Sequence, residues 1–97
     1  MGKTYIVYIL SNYLRTVLYI GVTNNLCKRV WEHRQEQASG FTQTYHVHSL
    51  LYYEQYTDPM SAIEREKQLK RWKRAKKESL IRQMNPKLDD LYPSVCS

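Results

Sequence analysis

No run of eighteen apolar residues occurs in the 97-residue chain, so no membrane-spanning helix is expected. There is no internal repeat, no low-complexity segment and no linker, which points to one domain, 1–97, with a core from about 4 to 85 and a tail over 86–97. Cysteine is sparse. Cys27 and Cys96 lie far apart and match no zinc spacing, so reduced thiols in a cytoplasmic protein are expected. The apolar run Tyr5–Leu10 near the start is short, contains tyrosines and lacks a small-residue cleavage site, so no secretory signal is expected. No proline or glycine interrupts the apolar stretches that read as strands. Acids are also in the minority, 9 against 15 bases, for a net charge of +6.

That excess is concentrated. Arg65, Lys67, Lys70, Arg71, Lys73, Arg74, Lys76 and Lys77 face a single acid, Glu66, within one short window, which carries +7 while the rest of the chain carries −1. Such a patch is a footprint for a polyanion, and nucleic acid is the commonest one in a cytoplasm. The same window also fits a solvated lysine-rich helix or a surface for an acidic protein partner. A membrane surface fits less well, because the window has no broad apolar face.

The coarse order of elements is strand, strand, helix, strand, helix. Thr4–Leu10 and Val17–Ile20 read as strands, and the short polar connection between them predicts an antiparallel hairpin. Gly21 ends the second run and allows backbone geometry that a side chain would forbid. Thr23 and Asn24 are candidate N-caps for a helix running to about Gln37, stopped at Ser39-Gly40. Phe41–His48 reads as a loop and Val47–Tyr56 as a third strand. Asp58-Pro59 opens a second helix and Asn85-Pro86 closes it, with no residue marking whether it breaks near Lys73. The fold class is therefore α/β in the α+β sense: a small three-stranded mixed or antiparallel sheet flanked by helices.

Three features suggest chemistry. Arg29 and His33, four apart, share a helix face beside the Leu26–Val30 stripe, near the strand carrying Tyr19. They suit phosphate, although solvated helix residues would show the same spacing. Glu66 falls between Ala62, Ile63 and Leu69 on the helical wheel; a carboxylate there needs either a basic partner or a cation. His46 and His48 could share a strand face, but the sequence offers no partners to complete a zinc set. Tyr5, Tyr45, Tyr52, Tyr53 and Tyr56 read as amphipathic core and rim residues.

In this order and context the residues resemble the GIY-YIG nuclease superfamily, in particular small stand-alone bacterial members similar to the catalytic domain of the excision-repair endonuclease C subunit. Tyr19-Ile20-Gly21 is the family's second signature intact. Ile6-Val7-Tyr8 stands for the first, with its glycine lost and its tyrosine kept. Arg29 and His33 match the functional helix positions, Glu66 the metal-binding glutamate, and Asn85 a late asparagine at a different distance from Glu66 than in longer relatives. The resemblance implies the GIY-YIG endonuclease fold and metal-dependent hydrolysis of DNA phosphodiesters, with one Mg²⁺ or Mn²⁺ at Glu66. Tyr8 would be the general base, with Tyr19, Arg29 and His33 catalytic, Gly21 allowing close backbone approach to phosphate and Asn85 in support. Lys67, Lys70, Arg71, Lys73, Arg74, Lys76 and Lys77 would hold nucleic acid. A domain this small is expected to be a monomer that grips DNA weakly, with a targeting protein to direct it and DNA repair as its setting. A non-catalytic nucleic-acid-binding module with the same fold is the alternative.

Overall fold

The computed structural model describes residues 3–37 and 40–96. Its centre is strand β1 (Tyr5–Ser11), flanked by β2 (Leu18–Thr23) and β3 (Ser49–Tyr56) in an antiparallel sheet of order β2-β1-β3. Helix α1 (Leu26–Arg34) and the short α2 (Gly40–Tyr45) lie between β2 and β3. Helices α3 (Pro59–Arg71), α4 (Arg74–Met84) and α5 (Tyr92–Cys96) follow.

Both faces of β1 are covered, which explains its unbroken apolar run. Successive side chains alternate across a strand. Val7 and Ile9 therefore pack with Ile20, Leu51, Ala62, Leu69 and Ile81 on one face, while Ile6, Tyr8 and Leu10 pack with Leu26, Val30, Val47 and Leu50 on the other. A register shift between Ile9 and Leu10 brings Leu50 opposite Leu10 and Tyr52 opposite Ile9, leaving Leu51 as the extra residue of a bulge. The hairpin connection is closed by Asn12, whose side-chain oxygen accepts from the amides of Thr16 and Val17.

Several expected boundaries move. β2 does not end at Gly21 but runs on to Thr23, and no described glycine has a positive φ, so turn geometry is not the reason for this glycine. The cap of α1 is Asn25 rather than Thr23 or Asn24. Its side chain accepts from Lys28 N, and Thr23 Oγ1 in turn accepts from Asn25 N. α1 stops at Arg34, three residues early, because Glu36 takes the left-handed conformation (φ 58°) and the amides of Glu36 and Gln37 turn back to His33 and Glu32. Ser39 of the expected stop lies outside the described residues, and Gly40 opens α2 instead of ending a helix. The expected loop thus contains α2, and β3 begins at Ser49.

Asp58 caps α3 through Ser61 N, with Pro59 in its first turn, and Asn85 follows the last turn of α4, as expected. The long basic helix is broken: Trp72 and Lys73 are extended, with ψ of 146° and 155°. Trp72 packs on the core while Arg65 and Lys76 stack on its ring at 5.1 and 4.1 Å, so the break anchors the two helices on one indole.

The tail is also docked. Asp90 accepts from Leu50 N and from Arg34, Leu91 N donates to Leu50 O, and Arg15 donates to Leu88 O. The expectation of free thiols is wrong: docking α5 against α1 brings Cys27 and Cys96 together as a disulfide across 69 residues. That removes the chemical ground for a reduced compartment. No helix among the described residues is long and apolar enough to cross a membrane.

Candidate active site

Tyr8 and Gly21 are direct partners across the β1–β2 ladder. A Cβ on Gly21 would stand 2.5 Å from Tyr8 Cζ and closer still to the hydroxyl oxygen. The tyrosine ring occupies the place of the missing side chain. The absence of a Cβ at Gly21 therefore sets the position of the Tyr8 phenol.

The phenol is almost wholly buried and lies 3.2 Å from Nε2 of His33, itself fully buried on α1. One turn earlier, Arg29 lies close enough to the phenol to favour its ionised form, and it pairs with Glu32 at 3.3 Å. Glu32 thus holds the guanidinium, a positioning role with no signal in the sequence beyond its three-residue spacing. The tautomer of His33 sets which of the two groups donates in the Tyr8–His33 contact. Tyr19 completes the cluster, with its ring 6.4 Å from Tyr8 and 5.3 Å from His33. Glu66, on α3, adds a weak charge effect at Tyr8, and Lys70 stands 3.4 Å from its carboxylate.

Burial dominates the electrostatics. It pushes the Tyr8 hydroxyl up to about 12, overriding the opposing effect of Arg29. Burial, followed by the charge of Arg29, lowers His33 to about 4. Both groups are accordingly neutral near pH 7. For His33 the folded value lies below the unfolded one of 6.5, so the native state loses stability as pH falls from 6.5 towards 4. The loss should total about 3 kcal/mol. Thermal melts between pH 7 and 4.5 should show this slope, and His33→Gln should flatten it.

Phe41, on α2, was missed in a stretch without apolar periodicity. It stacks on Tyr19 at 5.9 Å and on Tyr45 at 4.9 Å, and with Lys70 and Lys77 it lines a surface cleft of about 350 Å³ beside Tyr19. The basic window is only partly free. Arg65 is held by Glu54, Arg74 by Glu78 and the carbonyls of Arg15 and Thr16, and Lys76 sits over Trp72. Lys67, Arg71 and Lys73 are exposed. The side chain of Asn85 is bonded to β3 and the tail: its amide donates to Leu51 O and Asp89 O and accepts from Asp89 N, which fastens the tail to β3.

The chain matches the GIY-YIG catalytic-domain family model over residues 4–79 and belongs to that family. It is 35% identical over 81 residues to a UPF0213 protein of Natronomonas pharaonis, covering 84% of this chain and 94% of the relative. It is also 33% identical over 67 residues to one of Bacillus pumilus, covering 69% and 68%. The solution NMR structure of a UPF0213 protein from Bacillus halodurans has the same fold, with a TM-score of 0.58 at 20% identity, over 97% of this chain and 99% of that one.

Proposed function

We propose that the chain hydrolyses phosphodiester bonds of DNA at the cluster of Tyr8, Tyr19, Arg29, His33 and Glu66. The observation that carries this reading is the buried Tyr8–His33 contact of 3.2 Å, with the Arg29 guanidinium close by and the Glu66 charge weakly felt. A structural tyrosine needs one partner for its buried hydroxyl, but not a guanidinium and a nearby carboxylate besides. A lone carboxylate suits a hard cation such as Mg²⁺ or Mn²⁺, which takes its remaining oxygen ligands from phosphate and water. Held at Glu66, that cation supplies charge neutralisation at the scissile phosphate and the leaving oxygen.

The side chains do the rest. Arg29 offers forked donors to the phosphate oxygens and to the charge that develops on them. Tyr8 accepts a proton from the attacking water. With its hydroxyl near 12, only about one molecule in 10⁵ carries a phenolate at pH 7. The hydroxyl therefore passes its own proton to His33 Nε2 as the water's proton arrives, so no free phenolate is formed. A bound phosphate raises the affinity of His33 for that proton. Lys70 and Lys77 line the approach past Tyr19, and Lys67, Arg71 and Lys73 extend the positive surface that meets the DNA backbone.

Labelled single-stranded, nicked and flapped DNA should be cut by the wild type in Mg²⁺ or Mn²⁺ and left whole in a chelator. Binding that is tight and steeply salt-dependent, yet yields no product with either metal, would instead make the chain a non-catalytic nucleic-acid-binding module.

A further inference from the structure

Glu36, His46 and His48 converge from three places in the chain. Glu36 follows α1, His46 follows α2 and His48 precedes β3. One ligand atom from each lies within 4.8 Å of the other two, and this is the single group of three such residues among those described. His46 Nδ1 is 2.6 Å from Glu36 Oε1, and His48 Nε2 is 3.3 Å from the same oxygen. Four donors placed tetrahedrally at about 2.1 Å from a metal are spaced about 3.4 Å apart, so small side-chain movements would bring the three onto a common ion. A water would fill the fourth position of such an ion.

An ion pair between Glu36 and a protonated His46 would also account for the shorter distance. It would leave Glu36 sharing one oxygen between two imidazoles. The Nε2 atom of His48 is buried, turned towards the carboxylate, and makes no hydrogen bond. A buried ring nitrogen with only this long, poorly aligned contact is weakly satisfied, and a metal is a natural acceptor of its lone pair. The backbone points the same way. Glu36 and His46 are two of only four non-glycine residues with positive φ among those described, at 58° and 52°. Each occupies the left-handed position at a helix end that glycine normally takes, and each brings a ligand side chain in its place.

We propose that Glu36, His46 and His48 bind a zinc-class divalent cation, at a site separate from Glu66, and that this ion fastens α2 to the end of α1 and the start of β3. Two imidazoles and one carboxylate suit Zn²⁺ or a neighbouring first-row metal and discriminate against Mg²⁺ and Ca²⁺, which prefer oxygen throughout. The consequence for the site described above is positional. α2 carries Phe41 onto Tyr19, and His46 directly follows its last residue, so an ion at this trio would hold the aromatic wall of the cleft.

The test uses the whole chain stripped by a chelator and titrated with Zn²⁺ against a chromogenic competitor. One equivalent should bind with a dissociation constant on the order of micromolar or tighter. Glu36→Gln and His48→Gln should each weaken binding at least about tenfold, while Glu66→Gln leaves it unchanged. Zn²⁺ should raise the melting temperature of the wild type and of Glu66→Gln but not of the two trio variants, and millimolar Mg²⁺ should not substitute. Circular dichroism of the metal-free variants separates lost binding from lost folding. Affinity unchanged in both trio variants, or lost in Glu66→Gln, would overturn the proposal, as would the absence of a stoichiometric site.

Discussion

Tyr8→Phe should reduce single-turnover cleavage about 10³-fold, within the range that a positioned proton acceptor contributes, equivalent to about 4 kcal/mol of transition-state stabilisation. The substitution keeps the ring that fills the space over Gly21 and packs with Leu26 and Val30. It removes only the oxygen that meets His33 Nε2 and lies close to Arg29. Folding should therefore survive, with a cost of about 1–3 kcal/mol for the buried imidazole left without its partner. DNA affinity should hardly change, because the phenol contributes no charge at neutral pH. A fall in rate with unchanged affinity and a modest drop in melting temperature is the expected pattern; equal losses of binding and rate would assign Tyr8 to substrate contact instead.

Gly21→Ala should be nearly as damaging, by a different route. The new methyl group would lie 2.5 Å from Tyr8 Cζ, where ordinary contact requires about 3.4 Å or more. The ring is packed against its neighbours and its backbone is paired on both sides, so it cannot swing out to solvent. Overpacking of this kind costs about 1–3 kcal/mol, and moving a catalytic group by about 1 Å costs on the order of 10²-fold in rate. Cleavage should thus fall about a hundredfold in protein that still folds, and adding Gly21→Ala to Tyr8→Phe should deepen that variant's loss little further. Additive losses in the double variant would mean that Gly21 acts independently of the tyrosine.

These two residues show how far the sequence could be read. Tyr8 and Tyr19 were singled out by the family resemblance alone, since strand alternation places them on β1 and β2 without setting them apart from the other tyrosines, whereas four-residue helical spacing already put Arg29 and His33 on one face of α1. The identity of Gly21 was legible, but its physical reason was not. A turn and a cross-strand void look alike in one dimension, and only the pairing of Gly21 with Tyr8 tells them apart. α2 escaped because Gly40–Tyr45 has no apolar period; contacts such as Phe41 on Tyr19 support it. The end of α1 escaped because Glu36 takes a glycine's conformation without being one. The Cys27–Cys96 bridge and the docking of Asp90 on Leu50 depend on the tail's path back to α1 and β3, which no local signal encodes. The charge count overstated the free positive surface, since Arg65, Arg74 and Lys76 are spent on Glu54, on backbone carbonyls and on Trp72.

The most direct measurement is single-turnover cleavage of flapped DNA by the wild type and by Glu66→Gln, side by side, across a titration of Mg²⁺. Glu66 is half-buried on α3 and contributes no apolar packing, so the variant should fold as the wild type does. Product that rises and saturates with metal in the wild type, and is absent at every concentration in Glu66→Gln, is the predicted result. Cleavage by Glu66→Gln at the wild-type rate and with the same metal requirement would contradict it.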